Sequence, residues 1–303
     1  MTESSDRPSA PAGALSAAGT APRLPDALRL GPVHLQVGDL ERSLEYYTKV
    51  LGLELRERTP ASGSLHARDE SEPLVVLLER AGAAPVRANS RLGLYHFAIL
   101  LPDRPALGRF VGHLARTGTR LGAADHLVSE AIYLRDPDGL GIEVYADRPR
   151  SAWRHAGAEL LMTTEPLDTA SVIDAARGEP WSGMPRGTTM GHLHLHVGEL
   201  DDASRFYHDV LGLDRTVWSY PGALFLSAGG YHHHLGVNTW AGRAPRAGDD
   251  EARLLEWRIV LPSPDDARVV ADRARAAGHA AREDGGSWLV EDPWGTALRL
   301  SAA

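Results

Sequence analysis

The sequence predicts an α+β protein made of four modules, each with the strand and helix order βαβββ. Two observations predict this architecture. First, the chain repeats itself: VHLQVGDL at 33–40 returns as LHLHVGEL at 193–200, and the turn DPDG at 136–139 returns as DPWG at 292–295. Second, each repeated block changes from period-two alternation to a helical spacing of apolar residues, which is typical of a strand followed by a helix. With 303 residues, the chain is long enough for two domains.

The elements of the first half follow from these patterns in order. Residues 31–37 alternate like a half-buried strand, and Asp39 stands where a helix N-cap is expected. An apolar stripe then runs to Gly52, which predicts a helix. The remaining strands are predicted at 53–57, 64–68, 73–79, 94–101, 124–129, 130–135 and 140–145, with a second helix at 105–117.

The repeated modules divide the chain into predicted domains. Modules one to four span about 29–90, 91–148, 190–245 and 250–303. Modules one and two are expected to form a first domain at 29–148, and modules three and four a second domain at 190–303. A connecting arm at 149–189 joins them, and residues 1–28, rich in Ala, Ser, Pro and Gly, are expected to be a disordered leader.

The composition excludes several classes of function. With 32 Lys and Arg against 40 Asp and Glu, the net charge of −8 argues against a nucleic-acid partner. The sequence shows neither a secretory signal nor an apolar stretch long enough to span a bilayer, so we expect a cytoplasmic protein without a membrane partner. Because there are no cysteines among the 303 residues, any metal must be held by imidazole and carboxylate groups, which directs attention to the 14 histidines.

Residues 126–143 (HLVSEAIYLRDPDGLGIE) form the motif with the clearest chemistry. The DPDG turn joins a strand that carries Tyr133 to one that carries Glu143. With period-two alternation, His126, Tyr133 and Glu143 can converge on one concave face of a curved sheet. Since a buried carboxylate is costly without a cation beside it, a metal ion is the natural partner of Glu143. The alternatives are that Glu143 pairs with an arginine and that Tyr133 belongs to the core.

The spacing of this motif resembles the signature of the extradiol ring-cleaving dioxygenases, in the vicinal oxygen chelate superfamily. The resemblance covers about 30–148 and 190–303, departs mildly at Ala124, and is strongest to two-domain catechol 2,3-dioxygenases. It implies two vicinal-oxygen-chelate domains whose curved mixed sheets form a cup. It also implies iron(II), or manganese(II), held by two histidines and one glutamate, with a small aromatic diol and O2 as substrates. A homo-oligomer is compatible with this family and is left open.

The resemblance assigns roles to residues of this chain. It makes His96 and Glu143 metal ligands, and the other histidine ligand is either His34 or His194, which occupy the same position in modules one and three. The segment YHHHLG at 231–236 is similar to the family's paired histidines and makes His233 the catalytic acid/base. Module one has only apolar residues there. We therefore expect His194 to be the ligand and the site to form across modules two and three. Four further histidines are expected to support the site or to be alternatives to its members: His192, His196, His232 and His234.

The implied activity is extradiol cleavage of a catechol to a 2-hydroxymuconate semialdehyde. His126 and Tyr133 would donate hydrogen bonds to substrate oxygen. Module four holds Glu256 and Arg299 where a histidine and a glutamate ligand would stand, so we expect no second metal site there. Two other functions stay open: a glyoxalase-like metal-dependent isomerase or lyase, and a small-molecule-binding protein without enzymatic activity.

Overall fold

The structure is a computed structural model that describes residues 22–303. Module one contains β1 (Arg29–Leu30), β2 (Val33–Val37), α1 (Leu40–Lys49), β3 (Glu54–Thr59), β4 (Ser62–His66) and β5 (Val75–Glu79). Module two contains β6 (Gly93–Leu100), α2 (Arg104–Thr117), β7 (Gly122–Asp125), β8 (Ser129–Arg135) and β9 (Gly141–Asp147). The connecting arm contains a 3-10 turn (Arg150–Ala152), β10 (His155–Ala156), β11 (Glu159–Leu160) and α3 (Thr169–Ala175).

The second half repeats this order. Module three contains β12 (Thr189–His196), α4 (Leu200–Ser204), a π-helical segment (Arg205–Val210), β13 (Asp214–Val217), β14 (Ala223–Ser227) and β15 (Leu235–Asn238). Module four contains β16 (Arg253–Leu261), α5 (Pro264–Ala276), β17 (Ala281–Asp284), β18 (Ser287–Glu291) and β19 (Ala297–Ala302). The predicted βαβββ order is therefore confirmed in all four modules. None of the helices within residues 22–303 is both long and apolar enough to cross a membrane.

Side-chain caps start the helices where the sequence places them. The Asp39 carboxylate accepts a hydrogen bond from the Arg42 backbone N–H at 3.0 Å, which satisfies one of the free donors of the first turn of α1. Asp103 caps α2 in the same way through Ala106, at 2.7 Å. Gly118 ends α2 with φ of 67°, a left-handed conformation that glycine adopts without strain.

Two large sheets organise these elements, and each takes one module from each half of the chain. The eight-stranded sheet has the order β13-β14-β15-β12-β6-β9-β8-β7 and joins modules two and three; we call it the 2–3 sheet. The nine-stranded sheet has the order β17-β18-β19-β16-β2-β5-β4-β3, with β1 also paired to β16; we call it the 1–4 sheet. Neither 29–148 nor 190–303 contains a complete large sheet, because the first strand of each module pairs with the first strand of a module from the other half. This pairing covers strand edges that a single module would leave open.

Modules that follow one another in the chain, one with two and three with four, are joined by hydrogen bonds from tyrosines of their helical segments. The Tyr47 hydroxyl donates to Asp136 Oδ2 of the first DP turn at 3.1 Å, and the Tyr207 hydroxyl donates to Asp292 Oδ2 of the second at 2.9 Å. These matching contacts show that the sequence repeat is also a structural repeat.

The predicted disordered leader is corrected where the structure describes it. Residues 1–21 of that segment lie outside the described residues. Within 22–28, Leu24 and Leu28 are buried, and the Leu24 N–H donates to the Gly212 carbonyl at 2.9 Å. This short stretch is ordered because its leucines join the hydrophobic core.

Candidate metal and active site

Three side chains on the concave face of the 2–3 sheet form a compact group that could hold a metal ion, which we call the metal group. They are His96 on β6, Glu143 on β9 and His192 on β12, and their ligand atoms all lie within 4.8 Å of one another. Glu143 Oε2 is 3.1 Å from His96 Nε2 and 3.2 Å from His192 Nε2. All three residues are buried. The strands β9, β6 and β12 are neighbours in the sheet, so the backbone brings the three ligands together.

The protonation states of this group suit a cation. Burial raises the pKa of Glu143, but the contacts with His192 and His96 outweigh burial and hold that pKa well below its usual range. Burial lowers the pKa values of His96 and His192, so their rings stay neutral near pH 7 and keep the lone pairs that a metal needs. His96 Nε2 also has no hydrogen-bond partner among the described residues. A buried imidazole nitrogen without a partner, next to an ionised carboxylate, fits a metal ion well.

The compact group differs from the predicted ligand set at its third member. His194, which the sequence favoured, is replaced by His192, and His34 lies in the other sheet, where its Nδ1 is 3.7 Å from Glu256 Oε1. His194 lies beside the group, with its ring centre 5.1 Å from that of His96. Alignment of the VGDL and VGEL blocks made His34 and His194 equivalent, but it did not include module two, which lacks that block.

A different signal in the sequence would have selected His192. His96 precedes the N-cap of its helix, Asp103, by seven residues, and His192 precedes its N-cap, Glu199, by the same interval. The helix start thus aligns the first strands of modules two and three. Because side chains alternate along a strand, His194 shares the face of His192 but lies two residues closer to the helix.

His126 and Tyr133 form a hydrogen-bonded pair beside the metal group. His126 lies in the turn between β7 and β8 and not within a strand as predicted, since the chain turns at Leu127, whose φ is 68°. His126 Nδ1 donates to the Thr163 carbonyl oxygen at 2.7 Å, so Nε2 accepts from the Tyr133 hydroxyl at 2.6 Å. Burial and the Glu143 carboxylate raise the pKa of Tyr133 well above its ordinary value. Tyr133 is therefore a neutral hydrogen-bond donor.

His233 lies on the opposite side of the group, in the loop before β15. Its ring centre is 4.0 Å from that of His192 and 4.9 Å from that of Phe225. Burial, together with His192 and His232, holds the pKa of His233 well below its ordinary value. A neutral imidazole at this place is able to accept a proton.

The other three predicted histidines lie on β12 (His196) or in the loop before β15 (His232 and His234). His196 Nδ1 is 2.6 Å from Asn238 Oδ1, which holds its ring at the end of β12. His234 Nδ1 is 2.9 Å from Ser227 Oγ and lines a separate cavity. His232 is fully buried, with its Nδ1 2.7 Å from His233 Nδ1.

The metal group borders a cavity of about 110 Å³. The metal group, His194, His126, Tyr133 and His233 line it, together with the aromatic residues Tyr95, Tyr220, Phe225 and Trp240. Met162, Thr163 and Thr164 complete the wall. These last three belong to the connecting arm, which sequence reasoning did not associate with the site because no repeat or motif marks them.

The connecting arm is held against the cavity by specific contacts. Backbone hydrogen bonds of 2.9 Å join Asp125 and Glu165 in both directions, and the Thr164 and Tyr220 hydroxyls are 2.8 Å apart. The arm therefore places the Thr163 carbonyl that orients His126, and it forms part of the cover over the site.

Known proteins are similar to this chain in sequence. The model of the glyoxalase/bleomycin resistance protein/dioxygenase superfamily matches residues 29–144. A catechol-2,3-dioxygenase of Bacillus subtilis (strain 168) is 44% identical over 268 residues, which cover 87% of this chain and 93% of that protein.

Solved structures also share the fold. A proposed dioxygenase from Bacillus subtilis subsp. subtilis str. 168 superposes with a TM-score of 0.63 at 14% identity, over 93% of this chain and 86% of that one. Glyoxalase I from Zea mays superposes with a TM-score of 0.54 at 16% identity, over 90% of this chain and 92% of that one.

Proposed function

This chain belongs to the glyoxalase/bleomycin resistance protein/dioxygenase superfamily, and we propose that it is an extradiol dioxygenase that cleaves catechol or a substituted catechol. Both atoms of O2 would enter the product, a 2-hydroxymuconate semialdehyde. One observation carries this proposal. The cavity of the 2–3 sheet holds a group of two histidines and one glutamate, and a neutral tyrosine and three further histidines face the same space.

His96, Glu143 and His192 would hold the metal, which we propose to be iron(II). Two imidazoles and one carboxylate are the ligand set typical of non-haem iron(II) oxygenases. When bound, such a metal would supply a redox-active centre that passes electrons from the catechol to O2. Glu143 is the single negative ligand that the chain would contribute, which would keep the metal electron-rich.

The neighbouring side chains would handle protons and the developing charge. Because His233 Nδ1 is hydrogen-bonded to His232, Nε2 is the atom that would take the second phenolic proton. It would return this proton to the oxygen atom released when the O–O bond breaks. The Tyr133 hydroxyl donates to His126 Nε2 at 2.6 Å in the resting protein, and it would turn its single hydrogen to substrate oxygen to stabilise the negative charge that develops there. The aromatic walls would bind the ring and exclude water.

The test is ring cleavage by the metal-loaded protein. Purified protein is loaded anaerobically with iron(II), mixed with catechol and exposed to air, while O2 uptake and the yellow ring-opened product are recorded. One O2 consumed per product is expected. A lack of colour and O2 uptake across several catechols, with iron bound, would contradict the proposal and direct the search to isomerase substrates; failure to bind iron would favour a binding protein.

A variant at His233 tests the division of labour within the site. His233→Ala should keep its iron and lose about 10²–10⁴-fold in turnover, the contribution typical of a general acid/base. Iron content is measured alongside turnover. Loss of iron in this variant would show that His233 is a ligand and that the role given to it here is wrong.

A further inference from the structure

A buried hydrogen-bonded chain leads from His233 away from the metal group to the end of β9. His232 Nδ1 is 2.7 Å from His233 Nδ1, and His232 Nε2 is 2.9 Å from Asp147 Oδ1. The His232 side chain has no exposed surface, while that of Asp147 is 27% exposed. His232 thus bridges the buried base and a carboxylate near solvent.

The chemistry of the three groups determines where the ring protons lie. A carboxylate only accepts, so His232 Nε2 carries a hydrogen and donates it to Asp147. In a neutral His232 ring, Nδ1 is then the acceptor, and it takes a hydrogen bond from His233 Nδ1–H. The remaining nitrogen of neutral His233, Nε2, therefore carries a lone pair. The opposite tautomer of His233 would present an N–H to the substrate and could not accept its proton.

The Asp147 carboxylate is itself oriented. The Tyr231 hydroxyl donates to Asp147 Oδ1 at 3.3 Å, and the Tyr145 and Tyr231 hydroxyls are 2.6 Å apart. The Trp153 ring lies beside His232 at 5.4 Å between centres. These contacts fix the Asp147 Oδ1 atom in position to accept the hydrogen bond from His232 Nε2. Asp147 comes from module two, and His232 and His233 come from module three, so only the pairing of the two modules assembles the chain.

We propose that Asp147 is a positioning residue that acts through His232 to fix the tautomer of His233 with its Nε2 lone pair available to the substrate. Its effect on turnover rests on the proposed ring-cleaving function. Its effect on the tautomer does not, because that follows from hydrogen bonds in the resting protein.

The tautomer is measured directly by two-bond proton–nitrogen correlation spectra of the histidine rings, in protein loaded with diamagnetic zinc(II). The wild-type His233 ring is expected to show a protonated Nδ1 and an unprotonated Nε2. In Asp147→Leu, which removes the acceptor at similar volume, the Nε2-protonated form of His233 should appear. A wild-type spectrum with protonated Nε2, or an unchanged spectrum in the variant, would overturn the proposal.

Turnover of the iron(II)-loaded enzyme gives the second measurement. Asp147→Leu should lower kcat by about 10- to 100-fold, while KM and iron content stay within about twofold, because neither substrate walls nor ligands change. Asp147→Asn keeps a carbonyl acceptor and should recover much of the loss. Since Asp147 and His232 act as a unit, Asp147→Leu/His232→Phe should be no slower than the worse single variant. A large increase in KM or loss of iron would show a merely structural role.

The two proposals fail in distinguishable ways. If wild-type protein cleaves no catechol but shows the expected His233 tautomer, the proposed function is wrong and the positioning role stands. If wild-type protein cleaves catechol and Asp147→Leu retains both tautomer and kcat, the positioning role is wrong alone.

Discussion

In the 2–3 sheet, the position seven residues before each helix N-cap holds an imidazole, His96 or His192; in the 1–4 sheet, Pro32 and Glu256 occupy these positions relative to Asp39 and Ser263. The last strands differ in the same sense. Glu143 follows the first DP turn at the place where Arg299 follows the second. One fold thus carries two different sets of side chains at matching positions.

The consequence is a metal group in one sheet and an ion pair in the other. Arg299 Nε and Nη2 each donate to a different oxygen of Glu256 at 2.7 Å, a bidentate pair that uses both carboxylate oxygens. Arg299 also donates to Asp284 at 3.0 Å. In the 1–4 sheet, the Arg299 guanidinium neutralises the Glu256 carboxylate, and a guanidinium has no lone pair for a metal. In the 2–3 sheet, Glu143 lies among neutral imidazoles, which do have lone pairs. The comparison shows that the side chains at these three matching positions decide which sheet can bind a cation.

Removal of a ligand should have the largest effect and should separate His192 from His194. His192→Ala is expected to lose iron and more than about 100-fold in kcat/KM, since about 10- to 100-fold is typical for residues that only support a ligand. His194→Ala should keep stoichiometric iron and lose less. Glu256→Ala, the matching change in the 1–4 sheet, should keep its iron as well. Iron analysis and O2 uptake measure all three; the reverse ranking of the two histidines would restore the ligand set that the sequence favoured.

Breaking the ion pair should affect stability and not catalysis. Loss of one partner of a buried pair costs about 3–5 kcal/mol; because Glu256 and Arg299 keep 13% and 15% side-chain exposure, we expect about 2–3 kcal/mol for Arg299→Leu. The double variant Glu256→Leu/Arg299→Leu should regain most of the lost free energy of unfolding. Arg282→Leu, which changes an exposed arginine on β17, serves as the matched control. Urea unfolding measures the free energies. A loss of iron or turnover in Arg299→Leu would contradict the separation of the two sheets.

The smallest expected effect is the pH dependence of the ion-pair region. Burial lowers the pKa of His34, so the unfolded chain binds its proton more readily than the folded one, and stability decreases as pH falls below the ordinary histidine value near 6.5. His34→Gln should therefore lose less stability than wild type between pH 7 and pH 5. Urea midpoints at both values measure the difference; equal losses in the two proteins would show that His34 contributes no proton linkage.

Much of the architecture could be predicted because it depends on local patterns. The repeats, the helix caps and the DP turns identify four modules, and the motif at 126–143 brings Tyr133, His126 and Glu143 to one cavity. The family resemblance predicted His96 as a metal ligand, and His96 lies in the metal group. For the third ligand the sequence weighed His194 against His34, whereas the compact group contains His192; both His192 and His194 face the same side of β12, and a shift of two residues leaves the alternation of a strand unchanged.

Other parts of the site carried no local signal. Met162, Thr163 and Thr164 enter the wall from the connecting arm, and Asp147 contacts His232 over 85 residues of chain. Nothing in the neighbourhood of these residues in the sequence points to a ligand or to a hydrogen-bond partner.

By itself, the sequence determined the modules and the side chains that each one carries, including Glu256 and Arg299 in module four, because strand period, capping and side-chain type are properties of short segments. The family resemblance predicted a site across modules two and three, but only the tertiary structure shows that their first strands, β6 and β12, are neighbours in one sheet, because strand pairing depends on long-range packing. That pairing is what places β12 beside β6, and His192 and His233 beside Glu143.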